Sequence, residues 1–321
     1  MDNELLKQMI LNKEVKDADL SNQVLDGIDF SGCTLERVNF KKAELRGCRF
    51  RGATLRWCDL RYVTIEHGTF EDATIDFCDL YRAMVDGIVI FNGCQISNSS
   101  LNKTYFGDSA LPKRNNLVDG KLLQQDYKAY ETFLTQWHTM GTGERLNDVG
   151  KQSDWSPKEA LATRWADAET IFKNFSAQWT GRGYIADGNW GYVQGRRMER
   201  NRMAAEMTQH IGCGKKLKQC WKLLTNVLSD LFFGYGESMT KMIITYVVVV
   251  FLFAWGFSNE VSLLEYGQAL SVSLKNMAGM DSDILRDVSP FVDMLNVVQT
   301  TVGIILTGIF GFILGNKIRN Q

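Results

Sequence analysis

The sequence predicts a multi-domain membrane protein in three parts: a repeat solenoid, an α-helical middle, and a C-terminal pair of spanning helices around a re-entrant segment. Three observations carry this. An apolar residue recurs at every fifth position from Leu20 to Ile90. Residues 242–259 and 294–316 are free of charge for 18 and 23 positions. Between those runs, residues 260–293 are polar at both ends and semi-apolar in the middle. A chain of 321 residues leaves room for one to three domains.

Residues 1–14 are expected to form a helix or cap, and no cleavable leader is expected because the N-terminus lacks a long apolar core. The repeat occupies 15–106. Its apolar positions run Leu20, Leu25, Phe30, Leu35, Phe40, Leu45, Phe50, and on to Ile90. One residue is inserted after Ile90, and the rhythm resumes at Ile96, Leu101 and Phe106. Two positions before most centres stands a small or branched side chain, such as Ala18, Cys33, Ala43, Cys48, Cys58 or Cys78. Neither a helix nor a strand has a period of five.

Ala18-Asp19-Leu20 matches the A(D/N)LXX motif of the pentapeptide-repeat family, which this region resembles over about 90 residues. The resemblance implies a right-handed quadrilateral β-helix of 20-residue coils with the centres stacked inside. The cysteines then read as small apolar fillers rather than redox or metal groups. Phe30, Phe50 and Phe70 are expected in one axial column. The residue after each centre points outward, which creates a belt of Lys41, Arg46, Arg51, Arg56 and Arg61. Acids one coil away pair with most of it, leaving Lys41 over Arg61 unmatched. Glu14 to Phe106 holds 14 acids and 11 bases, too even a balance to argue for mimicry of DNA. Nucleic acid is not expected as a partner; an interaction surface is.

Residues 107–120 read as a linker. The region 121–233 is helical: 121–138 and 158–178 place aromatic and aliphatic residues at helical spacing. The stretch 181–207 adds Tyr184, Trp190 and Tyr192 and a cluster of Arg196, Arg197, Arg200 and Arg202. About 45 residues here loosely resemble the hairpin of tetratricopeptide-like repeats. An amphipathic helix from Trp221 to Phe233 leads toward the membrane.

Residues 234–321 form the membrane part. At 1.5 Å per residue, the spans 242–259 and 294–316 reach roughly 27 and 34 Å, enough for a hydrocarbon core of about 30 Å. A pair of buried core helices is the competing reading, but such helices rarely stay charge-free for so long. A short helix over 266–278 and a turn at 279–283 separate the spans, and a helix, a dipping helix, a polar turn and a helix make the plan of a two-span pore. Loop 260–293 has six acids and two bases, whereas Lys215, Lys216, Lys218, Lys222 and Lys241 precede the first span and Lys317 and Arg319 follow the second. Both termini are therefore expected in the cytoplasm, with the protein in the plasma (inner) membrane of a bacterium.

The segment LFFGYGESMTKMIITY, the pore-loop pattern and the glycine-bearing last helix resemble bacterial pentapeptide-repeat proteins fused to a two-span potassium-channel-like pore. In ALSVSLKNMAGMDSDI, Ser273 matches the pore helix and Asn276 stands where a threonine is usual. Gly279, Met280, Asp281, Ser282 and Asp283 replace the glycine-rich filter. A potassium filter needs glycines so that carbonyls line the axis. A ring of carboxylates favours cations with looser discrimination, and its conduction is expected to fall as acid protonates it. In the last helix, Gln299, Thr300, Gly303, Thr307, Gly308 and Gly311 are candidates for lining or hinge.

The expected function is a homo-oligomeric, tetrameric, cation-conducting channel in the lipid bilayer, gated by its cytoplasmic part through a protein or small-ligand signal. It passes monovalent cations, with divalent ones left open. The alternative is a non-conducting membrane-anchored scaffold whose β-helix docks a protein. Catalysis, cofactors and metal sites are not expected: His67, His138 and His210 are scattered, and no nucleophile–base pair or metal spacing occurs.

Overall fold

A computed structural model describes residues 3–139, 157–208, 213–261, 264–280 and 289–319. The chain folds as two compact units, Met1–Gly212 and Cys213–Gln321.

The first unit begins with helix α1 (Asn3–Leu11), whose Leu6 is buried and whose Met9 and Ile10 pack on the end of the repeat core. Ten short strands follow: β1 (Glu14–Lys16), β2 (Val24–Asp26), β3 (Thr34–Glu36), β4 (Glu44–Arg46), β5 (Thr54–Arg56), β6 (Thr64–Glu66), β7 (Thr74–Asp76), β8 (Met84–Asp86), β9 (Gln95–Ser97) and β10 (Tyr105–Phe106). Odd strands pair in parallel in one sheet and even strands in a second. Two further ladders of single bridges, Asp19–Asn39–Asp59–Asp79–Ser100 and Asp29–Arg49–Thr69–Ile90, complete four faces. The register advances by 20 residues, as in Leu35 to Leu55 to Ile75. The N-terminal region is thus a four-sided β-solenoid of about five turns.

Centres and small residues fill the axis. Phe30, Phe50, Phe70 and Phe91 stack with centroids 5.0, 4.7 and 5.5 Å apart. The insertion lies one step earlier than expected. Ile90 is 41% exposed, whereas Phe91 is buried in the column. The register already advances by 21 at Thr69↔Ile90, so the turn after Asp86 absorbs the extra residue. Buried Cys33, Cys48, Cys58, Cys78 and Cys94 are free thiols that fill the wall. Burial pushes the Cys48 thiol up to about 11 and that of Cys94 up to about 12.

The outward belt is partly as expected. Arg51 and Arg56 meet Glu71 and Asp76 one coil on, at 3.4 and 3.7 Å. Arg46 lies in register with Asp26 and Glu66 but bonds Glu44 of its own strand at 2.5 Å. Arg61 does not point outward. It is 2% exposed and donates from Nε to Asp59 Oδ1 at 2.8 Å and from Nη2 to Asp59 Oδ2 at 2.5 Å. Asp79, Tyr81 and Asn102 of the same face are also buried, and Trp57 at its edge packs against Leu123 and Phe133. The chain therefore returns over this face, which five-residue periodicity does not reveal.

The expected linker 107–120 lies on the last coil. Leu117 bridges Ile96, and Asn116 Nδ2 donates to the carbonyls of Phe91 and Cys94 at 2.6 and 2.8 Å. Helix α2 (Tyr127–Thr139) starts later than 121 because short 3₁₀ turns intervene. Asp126 Oδ1 accepts from Ala129 N at its start. Helices α3 (Pro157–Gly181) and α4 (Ile185–Met207) form a hairpin with Gly188, Gly191 and Gly195 buried in its seam. Arg202 ties it by donating to Glu169 and Glu206 at 2.8 and 2.6 Å. Phe175 lies 5.8 Å from Phe106 and stacks on Trp179, whose Nε1 donates to Pro112 O at 2.8 Å. The hairpin thereby caps the open end of the solenoid, as a solenoid requires.

The second unit contains α5 (Cys213–Leu228), a one-turn π segment (Ser229–Phe233), α6 (Met239–Glu260), α7 (Tyr266–Met277) and α8 (Pro290–Arg319). Met239–Glu260 and Pro290–Gly315 are long and apolar enough to cross a membrane by length and composition.

Candidate functional site

Helix α7 has 12 residues, roughly 18 Å, too short to cross a bilayer. It packs against both longer helices. On its α6 side, Ser273 Oγ donates to Val250 O at 2.8 Å. On its α8 side, Gln299 Nε2 donates to Ser273 O at 3.1 Å and to Ser273 Oγ. Asn276 Nδ2 donates to Gln299 Oε1 at 3.0 Å. All three side chains are at most 1% exposed. One polar knot thus joins three apolar helices.

Apolar layers enclose the knot. Phe257, Leu264, Ala269, Val272 and Val292 form one cluster, and Met242, Val250, Met277, Leu306 and Ile313 another. Gly303 is part of this packing: a Cβ there would lie 2.7 Å from the Cα and O of Met277. On α8, Val292, Gln299, Leu306 and Ile313 are buried at intervals of seven. Two positions on, roughly 200° around the helix, Thr301, Gly308 and Gly315 form an exposed stripe.

Four expected site residues therefore meet: Ser273, Asn276, Gln299 and Gly303. Thr300 is half-buried and donates from Oγ1 to Asn296 O at 2.9 Å. Thr307, Gly308 and Gly311 are exposed. Gly279, at φ 72°, ends α7: its N–H donates to Asn276 O at 3.0 Å, and that of Met280 donates to Lys275 O at 2.8 Å. Glycine adopts this left-handed cap with no Cβ penalty. Met280 is exposed. Asp281, Ser282 and Asp283 lie outside the described residues. The α7 C-terminus carries the negative end of its dipole at Gly279.

Sequence reasoning missed the elbow before α6. Lys241 Nζ donates to Asp230 O and Oδ1 at 2.6 and 2.8 Å, and Thr245 Oγ1 donates to Phe232 O at 2.9 Å. Tyr235 hydroxyl donates to Asn226 Oδ1 at 2.7 Å. These bonds tie α5 to the first long helix. The pairing of Asp230 with Lys241, 11 positions apart across a turn, leaves no periodic signal.

A family model described as pentapeptide repeats, in eight copies, matches residues 16–52 and 43–75. The N-terminal region is a pentapeptide-repeat β-solenoid. Among solved structures, the chain is similar to HetL, a pentapeptide repeat protein involved in heterocyst differentiation regulation from the cyanobacterium Nostoc sp. strain PCC 7120. That match is 18% identical with a TM-score of 0.31 and spans 36% of this chain and half of HetL. A pentapeptide repeat protein from the Arabidopsis thaliana thylakoid lumen is 26% identical, over 31% of this chain and 70% of that one, with a TM-score of 0.17. QnrB1, a plasmid-mediated fluoroquinolone resistance protein, is 22% identical over 27% of this chain and 47% of its own, with a TM-score of 0.11. No curated protein matches the chain. Among the described residues, no group of three or more His, Cys, Asp or Glu is placed to hold a metal ion.

Proposed function

We propose that this protein is a homo-oligomeric, tetrameric, cation-conducting channel of the inner membrane, gated by a cytoplasmic pentapeptide-repeat and helical sensor. The observation that carries the reading is the buried knot of Ser273, Asn276 and Gln299. It fixes a helix too short to span between two that are long enough. Such a helix survives at membrane depth only where protein surrounds it. The second support is the outer surface. Ile244, Val248, Leu252 and Trp255 of α6 are exposed, as lipid contact requires. The third is the stripe of Thr301, Gly308 and Gly315, opposite the packed face of α8 and open to a second copy or a pore axis.

In this reading Asp281 and Asp283, which follow α7 in the sequence, select cations without strict preference for potassium. Gly308 and Gly311 let α8 bend, and the Asp230–Lys241 elbow passes sensor motion to α6. Both termini lie on the cytoplasmic side, and the protein acts without catalysis or cofactor. The turn keeps one of the glycines that a potassium filter uses, and this favours as second reading a non-conducting anchor whose β-solenoid docks a protein. Ion flux from liposomes under potassium, sodium and chloride gradients separates the two. Cation flux reduced in Asp281→Asn/Asp283→Asn supports the channel. Chloride carried as well as potassium, or no flux from either the whole chain or residues 230–321, refutes it.

A further inference from the structure

An open cleft of about 720 Å³ lies where the end of the solenoid meets α4. Its volume falls within the range of small-ligand sites, roughly 300–1,000 Å³. Lys113, Arg114 and Lys121 line it, against Asp119 and Asp187. Lys121 lies 4.0 Å from Asp119, while Arg114 has no carboxylate partner among the described residues. Instead the Arg114 guanidinium sits 4.7 Å over the centroid of Trp190, and Lys113 Nζ sits 4.8 Å over that of Tyr184.

These contacts define a recognition chemistry. A guanidinium seated over an indole and otherwise exposed can take a second planar ring, and its N–H groups suit phosphate oxygens. Lys113 and Lys121 add charge for phosphate. Asn115 and Gln194 line the same space, and their side chains bond no described residue. Amides of this kind match the paired donor and acceptor edge of a nucleobase. Gln125 Oε1 is engaged by Leu122 N at 2.9 Å, which leaves its amide N–H groups for the ligand. The loop is built close against the ring: a Cβ on Gly120, at φ 62°, would lie 2.9 Å from Trp190 Cζ2.

We propose that this cleft binds a nucleoside phosphate, with the base stacked on Arg114 and the phosphate held by Lys113 and Lys121. The inference rests on the reading of the cytoplasmic part as a sensor and names its ligand class. Bound there, the ligand touches the solenoid exit and α4 together and so couples the two elements.

The test is calorimetric titration of the full-length protein in detergent with three separate probes: ADP, adenosine and inorganic phosphate. The expected result is saturable ADP binding at one site per chain, with adenosine and phosphate each at least tenfold weaker. Arg114→Leu keeps an apolar stem over Trp190, Lys113→Met keeps its length, and both side chains are exposed, so the fold is retained. Each should weaken ADP at least tenfold, while Lys16→Met on the distant first coil leaves it unchanged. No saturable ADP binding, equal binding of phosphate alone, or ADP binding unaltered in both variants would overturn the proposal. Flux without ADP binding removes this ligand and leaves the channel; ADP binding without flux does the reverse.

Discussion

Replacing Gln299 by leucine tests the knot at the centre of the membrane unit. The two side chains have similar volume, so no cavity opens. What is lost is the acceptor for Asn276 Nδ2 and the donor to Ser273, among groups at most 1% exposed. Hydrogen bonds between membrane helices contribute about 0.6 kcal/mol on average and up to about 1.7. An orphaned buried polar group costs about 1–3 kcal/mol. Three lost bonds and one orphaned amide place the expected destabilisation near ~3 kcal/mol, a factor of roughly 150 in the unfolding equilibrium. Titration with dodecyl sulfate, followed by circular dichroism of the purified protein, measures it. The double variant Gln299→Leu/Asn276→Leu removes both partners and leaves no orphaned amide. Its loss should be about 1 kcal/mol smaller than the sum of the single losses. A Gln299→Leu protein within about 0.3 kcal/mol of wild type, with additive singles, would refute the argument.

Three further outcomes follow from the same reasoning. Gly303→Ala should destabilise the membrane unit by about 1–3 kcal/mol in the same titration, because the new methyl meets the Met277 backbone at 2.7 Å; an unchanged midpoint would mean that α8 slides freely on α7. Phe50→Ala removes the ring between Phe30 and Phe70 and should cost about 3–5 kcal/mol, read as loss of the solenoid's cooperative thermal transition. The thiols set an alkaline limit. Cys48 and Cys94 are raised from 9.0 to about 11 and about 12 in the folded state, so the stability they contribute is complete below pH 9 and is lost as pH rises from there through 11 to 12. Maleimide labelling at pH 8 should accordingly modify exposed Cys220 and spare these two until denaturant is added.

Much of the solenoid was legible because its physics is local and repeated. A period of five places every centre at the same station of every coil, so the column of Phe30, Phe50 and Phe70 and the in-register acids and bases follow from counting. Counting fails where two residues satisfy the same rule. Ile90 and Phe91 are both apolar, and only the turn after Asp86 decides that Phe91 enters the column while Ile90 faces out. It fails again at Arg61, whose place in the repeat points outward. The chain folds back over that face, and a guanidinium taken from water then needs Asp59 beside it.

The membrane unit divides in the same way. Length and the absence of charge were enough to mark the two long helices and the short one between them. Which faces meet was a tertiary matter. Gln299 and Gly303 read equally well as pore lining and as packing, because a polar or small residue in an apolar helix only has to avoid lipid. In the structure Ser273 and Asn276 supply the hydrogen bonds that Gln299 makes, and the Met277 backbone fills the space that Gly303 leaves. The repeat, the helices and their order depend on spacing along one chain and can be read from it. Which polar groups are buried together depends on the folded packing, since in an apolar surrounding a donor's place is set by the nearest acceptor, however far away it lies in sequence.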